Sequence, residues 1–482
     1  MSLTRQVAHN MFYQVGGKIF STILGLAALA MMTRYLGQDG YGGYTTIVSF
    51  LQFFGILVDF GLTLTTVQMI SEPNVNINKI TSNIFTLRFF SAIIFLGLAP
   101  LVVLLFPYDA TLKIGIAITT LSFLFVALNQ VLIGLFQKNL RMEKVAIAEN
   151  IGRIILLAGV ATVIYLNAGL LAVMLAVILG SFANFLVNFI FSLKYVRIKF
   201  VFDWPVWGEI YRRSWPIGLS IIFNLIYLKA DVIILSLFQS QATVGLYGAS
   251  YRVLDVLTTL PMMFAGLVLP VLTASWAEKN LERFSRLLKK SFDFLMMVIV
   301  PIIFGTMLLG EQIMSAVAGD DFALSGTILK ILILAAGAIF VGTLFGHVIV
   351  AIKKQKQMIW AYAIVAIISL VAYIILIPRY SFWAAAWITV SSEGAIALIS
   401  FFVVWKNTRL FPSGKVLGKS IIASLLMCTA IYFLMSMNIL FLILLGAAIY
   451  FAALYLLRGF SKETVMEIIS ARGGSALGGK LK

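Results

Sequence analysis

Nine charged side chains inside long apolar stretches of this sequence are candidates for function. Five are basic and four are acidic: Lys18, Arg88, Arg153, Lys229 and Arg252, with Asp59, Asp231, Asp255 and Glu393. A charge within a hydrophobic bilayer costs from about 2.5 to more than 10 kcal/mol, so such groups usually face a watery cavity or a partner. The excess of bases predicts a site for an anionic headgroup such as a pyrophosphate. A buried carboxylate that takes up a proton would suit ion coupling.

The basic residues lie at different depths. Lys18 is about eight residues into the first apolar stretch, Arg88 about six into its own and Arg153 about five, which places them roughly 12, 9 and 7 Å from the inner face. Lys18 is therefore predicted to face a cavity. Arg153 can instead extend to the lipid headgroups, and Arg88 fits either environment. Lys229 is the deepest base in the C-terminal half.

Each acidic residue has two interpretations. Asp255 follows Arg252 by three residues and can pair with it on one helix face, which would be a structural role. Lys229 and Asp231 are two positions apart and point to nearly opposite faces, so one of them needs another partner. Asp59, Asp231, Asp255 and Glu393 are candidates for coupling to H⁺ or Na⁺. A bond to a neighbouring helix is the alternative for a lone polar residue.

The remaining basic residues predict the topology. Of 36 Lys and Arg residues, 27 lie in every second gap between apolar stretches, whereas the intervening gaps hold only Arg34, Lys113, Lys330 and Arg379. Cytoplasmic loops of membrane proteins retain Lys and Arg. We therefore expect an even number of spans with both termini in the cytoplasm.

Composition agrees with a polytopic membrane protein. The chain is 61% apolar and 11% charged, against about 25% charged in soluble proteins, and its mean hydropathy is +1.03. The loop bias accounts for the net charge of +17, so no nucleic-acid partner is expected. One cysteine, Cys428, predicts neither a disulfide framework nor a metal cluster, and no cofactor is expected.

Segments of about 20 apolar residues can each cross about 30 Å of hydrocarbon. We predict an all-α fold with fourteen spans, near residues 10–33, 44–70, 82–106, 113–136, 148–166, 170–193, 215–238, 248–274, 291–310, 326–352, 359–377, 383–405, 417–437 and 439–457. The predicted domains are an N-terminal lobe (1–199), an interfacial linker (200–214), a C-terminal lobe (215–405), two further spans (406–457) and a cytoplasmic tail (458–482).

A repeated motif supports the two lobes. Residues 35–44 follow the first span and residues 238–247 follow the seventh, and each motif joins two spans through an aromatic residue, a polar turn and Gly-x-Tyr. The offset of 203 residues contains six spans, so both copies have the same orientation. This pattern is typical of a parallel repeat of six plus six helices, with cargo bound between the halves.

These residues also carry a family resemblance. The motif from Arg34 to Tyr44, with Asp231–Leu235, Val244–Tyr247, Ala249, Tyr251–Val253, Pro261 and Pro270, resembles the bacterial polysaccharide-biosynthesis or oligosaccharide flippase family. That family lies in the superfamily that also contains multidrug and toxin extruders. The resemblance implies a monomeric inner-membrane flippase that moves undecaprenyl-pyrophosphate-linked sugars from the inner to the outer leaflet.

Several alternatives remain open. A multidrug extruder or a peptidoglycan lipid II flippase would share the architecture. A membrane glycosyltransferase or polymerase is not favoured, because the sequence has no Asp-x-Asp motif on a cytoplasmic loop, no P-loop and no large external loop. The hinge candidates are Pro216, Pro261, Pro270 and Pro301, since a proline removes a helical hydrogen bond.

Overall fold

The described part of the chain contains helices and no β-strand. This computed structural model describes residues 3–72 and 75–459, and their side chains from Gly16 onward except at 216, 217, 220, 224–226 and 228. The helices are α1 (Leu3–Asp59), α2 (Leu62–Ser71), α3 (Ile77–Val102), α4 (Ala110–Lys138), α5 (Met142–Leu166), α6 (Gly169–Ser192), α7 (Trp204–Phe238), α8 (Gln241–Ala277), α9 (Leu281–Ala318), α10 (Ala323–Ala351), α11 (Lys356–Thr408), α12 (Lys415–Tyr432) and α13 (Ile439–Leu456).

Eleven helical segments among the described residues are long and apolar enough to cross a membrane. The prediction of an all-α, multi-pass membrane fold is thereby confirmed. Two segments are far longer than one crossing needs: α1 has 57 residues and α11 has 53, or roughly 80 Å each at 1.5 Å per residue. Each is interrupted by a residue of non-helical conformation, Gly37 in α1 and Ser381 in α11. The count of fourteen spans stays a prediction.

Polar side chains in the connections cap the N-termini of several helices. Asp109 accepts a hydrogen bond from the backbone N–H of Leu112 at 2.8 Å before α4, and Asn76 accepts one from Lys79 before α3. Such caps satisfy backbone donors that the first helical turn leaves open. The polar residues that separate apolar stretches in the sequence therefore also define where helices start.

The chain divides into two compact units with their own cores. The first contains the residues up to Val253, Val317–Ile328 and Ile359–Ser392; the second contains Leu254–Ala316, Leu329–Met358 and the residues from Glu393. One core cluster of the first unit comprises Leu62, Met69, Ile84, Phe85, Leu128, Val131 and Ile210. The core of the second joins α9 to α12 and α13 through Leu309, Ala423, Met427, Ile431, Leu442, Tyr450, Ala453 and Leu454.

Small residues bring α5 and α6 into close contact. A Cβ added to Gly152 would lie 2.7 Å from the carbonyl oxygen of Gly180, and one on Gly159 would lie 2.8 Å from the Cβ of Ala176. Helices associate in membranes largely through such close backbone approach. The contact fixes α5, which carries two of the charged residues described below.

The connection between α6 and α7 runs extended along α3. The backbone N–H groups of Arg197, Lys199, Val201 and Asp203 donate in turn to Asn78, Ser82, Thr86 and Asn83 of α3. Alternate N–H groups of an extended segment point to the same side, so one polar face of α3 satisfies all four. We call residues 196–203 the strap.

The predicted hinges can be compared with the breaks in the helices. Pro261 and Pro270 lie inside α8, and Pro301 lies inside α9. The breaks inside the two longest helical segments lie instead at Gly37 and Ser381, which have positive φ angles. The side chain of Pro216 lies outside the described residues. Bending at these prolines stays a prediction.

Candidate functional site

Helices α1 and α5 pack with a register that places their charges together. A Cβ on Gly17 would lie 2.5 Å from the Cβ of Ala146, and a Cβ on Gly25 would lie 3.9 Å from Nη1 of Arg153. The contacting positions increase together along both helices, so α1 and α5 run in the same direction. This is the relation that the alternating loop charges predict for the first and fifth spans.

Lys18 is bound by a carboxylate on the facing helix. Its Nζ donates to Oε1 of Glu149 at 3.0 Å, and the hydroxyl of Ser21, one turn further along α1, donates to the same oxygen at 2.8 Å. The side chains of Lys18 and Glu149 are 40% and 24% exposed. The pair is therefore only partly covered by the helix packing.

Two arginines complete the charged group. Arg153 lies one turn beyond Glu149 and interacts electrostatically with Glu149, Arg252 and Tyr44. Lys18 and Arg153 thus lie beside the carboxylate of Glu149, and Arg252 lies within electrostatic range of Arg153. We call these four residues the cationic cluster. Its formal charge is positive, because three basic side chains outnumber one acid.

Glu149 was missed by the sequence analysis. It lies at the boundary of the fifth apolar stretch, where a charged residue is usually assigned to the loop. A signal was present, because Glu149 and Arg153 are four residues apart and share a helix face. A search for acid–base pairs at that spacing near segment ends would have found it.

Lys229 lies on α7 of the same compact unit. Its ammonium group lies 4.1 Å from the ring centroid of Tyr251, the residue that precedes Arg252 in α8. A cation over an aromatic face is stabilised by the ring quadrupole. Lys229 thus contacts Tyr251, the neighbour in sequence of Arg252 in the cationic cluster. Asp231 is therefore not the only group that interacts with the Lys229 ammonium group.

Arg88 and Asp59 form a separate pair. Nη2 of Arg88 donates to Oδ1 of Asp59 and, at 3.0 Å, to the hydroxyl of Thr63, which itself donates to Asp59. The side chain of Arg88 is only 1% exposed. Among the described residues, its Nε and Nη1 have no hydrogen-bond acceptor. The pair lies where α1 ends, beside the positive φ angles of Phe60 and Gly61.

Asp231 is fully buried in a network of donors. Its carboxylate accepts hydrogen bonds from the Tyr247 hydroxyl at 2.5 Å, the backbone N–H of Val232 at 2.8 Å and the Thr389 hydroxyl at 3.4 Å. Tyr373 donates to the carbonyl of Tyr227 and shares a hydrogen bond with Thr389. The network connects α7, α8 and both parts of α11.

The other two acidic candidates lie in the second unit. Glu393 is 6% exposed, and among the described residues its Oε1 has no hydrogen-bond donor. The backbone carbonyl of Asp255 accepts hydrogen bonds from Thr258 and Thr259. A buried carboxyl without a donor is more stable when it holds a proton than when it is charged. Ion coupling at Glu393 and Asp255 stays a prediction.

The second unit also contains an apolar cavity of about 470 Å³. It lies between α9, α10 and the end of α11, and its aromatic lining comprises Phe292, Phe345, Phe401 and Phe411. Such a surface suits a hydrocarbon or a drug-like ring and not a pyrophosphate. It is chemically distinct from the cationic cluster.

Known proteins are similar to this chain in sequence and in fold. Residues 7–276, more than half of the chain, match the family described as polysaccharide biosynthesis protein. Capsular polysaccharide biosynthesis protein CapF of Staphylococcus aureus is 25% identical, over 83% of this chain and 99% of CapF. A putative O-antigen transporter of Shigella flexneri is 21% identical, over 85% of this chain and 99% of that protein.

The fold also matches a solved structure. The lipid II flippase MurJ in an inward closed conformation superposes with a TM-score of 0.77 at 18% identity, over 92% of this chain and 98% of that one. The relative from Shigella flexneri is named a transporter, which groups the chain with transporters and not with enzymes. The chain therefore belongs to the polysaccharide biosynthesis protein family.

Proposed function

We propose that this protein moves a polyprenyl-pyrophosphate-linked oligosaccharide from the inner to the outer leaflet of the bacterial cytoplasmic membrane. The observation that carries the proposal is the cationic cluster, in which Lys18 and Arg153 flank Glu149 and Arg252 lies near Arg153. A pyrophosphate carries more negative charge than one lysine offsets. Several convergent cations are therefore needed to bind it in a site that excludes part of the solvent.

The location of the cluster agrees with cargo that arrives from the cytoplasm. Lys18 and Arg153 lie in the inner half of their predicted spans, and both termini are proposed to be cytoplasmic. The headgroup would bind Lys18 and Arg153 while the lipid tail stays in the bilayer. Two six-helix lobes would then expose this site to each side in turn. The parallel direction of α1 and α5 supports this topology.

Of the five proposed cations, Arg88 is the least available to cargo. Its side chain is 1% exposed and paired with Asp59. Lys18, at 40% exposed, contrasts with it. We therefore assign direct headgroup binding to Lys18, Arg153, Arg252 and Lys229, and a supporting role to Arg88, which holds α3 against the end of α1.

Glycan export in a bacterium that lacks its own flippase tests this assignment. Lys18→Ala and Arg153→Ala should lower export, and Lys18→Arg should retain part of it because the charge is kept. Lys330→Ala is the matched control, since Lys330 is also a lysine paired with a glutamate, Glu311 at 2.8 Å. Full export by the Lys18→Ala, Lys229→Ala double variant, with normal membrane insertion, would contradict the cationic site.

Proton coupling is proposed at Asp231. Buried hydroxyl and N–H donors hold its carboxylate in place on three sides, so the carboxylate is a fixed acceptor for a proton. Asp231→Asn should therefore abolish the response of flipping to a pH gradient in proteoliposomes. A Na⁺ gradient that drives flipping at constant pH would contradict proton coupling. Glu393→Gln is the parallel test for the second unit, and Asp59 and Asp255 are the remaining candidates.

Multidrug extrusion is the second candidate, and the apolar cavity lined by Phe292, Phe345 and Phe401 is the observation that favours it. An extruder should lower ethidium accumulation in cells, and Phe345→Ala should reduce that effect while Lys18→Ala leaves it unchanged. A flippase predicts the reverse sensitivity in the export assay. Lipid II is the third possible cargo. Growth of a strain that is depleted of its lipid II flippase, when this protein is expressed in it, would support that cargo.

A further inference from the structure

The cationic cluster contains an acid at its centre, which a site built only to attract an anion does not need. Glu149 accepts hydrogen bonds from both Lys18 and Ser21 through one oxygen, Oε1. It also interacts with Arg153. A carboxylate at this position reduces the attraction of the site for any anion. It occupies the same donors that a phosphate oxygen would use.

We propose that Glu149 is an internal competitor of the cargo headgroup, holding Lys18 and Ser21 in place between cycles and returning to them when the cargo leaves. This rests on the proposed function. A phosphate oxygen would replace Oε1 as the acceptor of Lys18 Nζ and Ser21 Oγ during binding. Exchange of one acceptor for another changes the hydrogen bonds little, so both binding and release stay rapid.

The geometry favours exchange over a permanent structural pair. The exposures of Lys18 and Glu149, 40% and 24%, leave both groups accessible to a solute. Partly exposed ion pairs contribute little net stability. The buried pair of Arg88 with Asp59 shows the contrasting arrangement, with the guanidinium 1% exposed.

Position also favours a role beyond packing. Gly17 and Ala146 already bring α1 and α5 together, and Gly25 leaves space for the guanidinium of Arg153. Glu149 is therefore not needed to hold the helices at this distance. Its carboxylate instead lowers the net positive charge of the cluster. A flippase must keep that charge low enough to release its cargo.

Binding of farnesyl pyrophosphate to the purified full-length protein tests the proposal. Glu149→Gln removes the negative charge but keeps an acceptor for Lys18 and Ser21. It should bind the probe about three- to fivefold more tightly, the factor expected for loss of one partly exposed competing ion pair. Glycan export by the same variant should fall, because release becomes slower.

The control variant is Glu143→Gln, which removes the same charge from α5 at a residue paired with Arg141 near the start of that helix. It should change probe affinity by less than about 1.5-fold, since screened charges at this distance interact weakly. A double-variant cycle adds a second control. Once Lys18→Ala has removed the shared donor, Glu149→Gln should have a much smaller effect on affinity.

The outcomes distinguish failure of the role proposed for Glu149 from failure of the proposed function. If Lys18→Ala weakens probe binding but Glu149→Gln weakens it or leaves it unchanged, Glu149 is a scaffold residue and this inference is wrong. If Lys18→Ala and Glu149→Gln both bind like the wild-type protein, or the wild-type protein does not bind the probe, the cluster is not a pyrophosphate site. The proposed function then fails, and the inference fails with it.

Discussion

Gly42 and Gly245, equivalent residues of the repeated motif, lie against each other's backbone. A Cβ on Gly42 would overlap the carbonyl oxygen of Gln241, and one on Gly245 would overlap that of Gln38. Each would also lie 3.0 Å from the backbone nitrogen of the other glycine. The two copies of the motif thus form one contact, which Thr46 and Gln241 extend with a 2.8 Å hydrogen bond between their side chains.

This contact predicts that a methyl group added at either glycine lowers the stability of the protein. Gly42→Ala or Gly245→Ala should force α1 and α8 apart and destabilise the protein by about 1–3 kcal/mol, the usual cost of overpacking. The thermal midpoint in detergent should fall for both. Gly16→Ala in α1 and Gly266→Ala in α8 are controls, because no atom lies within 4 Å of their added Cβ. Equal midpoints for the two sets would contradict the contact.

The Asp59–Arg88 pair is predicted to be needed for folding. Its effect on folding can be measured separately from transport. Asp59→Asn leaves the buried guanidinium of Arg88 without its counter-charge, which typically costs 3–5 kcal/mol. We expect little folded protein from this variant in membranes, measured by fluorescence-detected size exclusion. The Asp59→Leu, Arg88→Met double variant should recover much of the yield, since an apolar pair has no unpaired charge.

That result also bears on ion coupling. If Asp59→Asn is stable and properly inserted yet fails to export glycan, the residue has a direct role in the cycle. If the apolar double variant folds and exports, neither Asp59 nor Arg88 contacts the cargo or the coupling ion.

Sequence reasoning predicted the all-α membrane fold because the signal is local. Runs of apolar residues and the basic loops between them are visible without any contact. The motif copies at Gly42 and Gly245 were likewise found by comparison of two short segments. Their direct contact was not predicted, because a repeat indicates symmetry and not distance.

The site was harder to predict because its pairs are distant in sequence. Lys18 and Glu149 are 131 residues apart, and Arg88 and Asp59 are 29 apart. The sequence analysis ranked Arg88 by depth alone, and depth does not reveal a carboxylate on a neighbouring helix. The strap is a similar case, since Asn78, Ser82 and Asn83 resemble an ordinary polar helix face until residues 196–203 pack on them.

The strap predicts a dependence of local structure on pH. The hydrogen bond from Lys79, at 2.7 Å, and that from the backbone of Val206 hold the pKa of Asp203 below its usual value. A carboxyl with a lowered pKa stabilises the folded state above its unfolded pKa of about 3.9. This contribution is lost as the pH falls through the folded pKa. The strap should therefore loosen only below about pH 4.

Fluorescence of the neighbouring tryptophans, Trp204 and Trp207, provides the measurement. Lys79→Ala should move the transition upward toward the ordinary carboxyl pKa. Asn83→Ala should weaken the strap at every pH, because Oδ1 of Asn83 accepts from both the backbone of Asp203 and Nε1 of Trp207. A transition at the same pH in the wild-type and Lys79→Ala proteins would show that the pair does not control it.

The network around Asp231 predicts unequal roles for two buried tyrosines. Tyr247 donates to the carboxylate of Asp231 at 2.5 Å, whereas Tyr373 donates to the neutral carbonyl of Tyr227 at 3.1 Å. Hydrogen bonds to charged groups contribute about 1.5–3 kcal/mol and neutral ones about 1 kcal/mol. Tyr247→Phe should therefore lower the thermal midpoint more than Tyr373→Phe, although each removes one hydroxyl and leaves the ring in place. In an Asp231→Asn background the acceptor is neutral, so Tyr247→Phe should cost no more than Tyr373→Phe does. An undiminished cost in that background would mean that Asp231 is already uncharged in the folded protein.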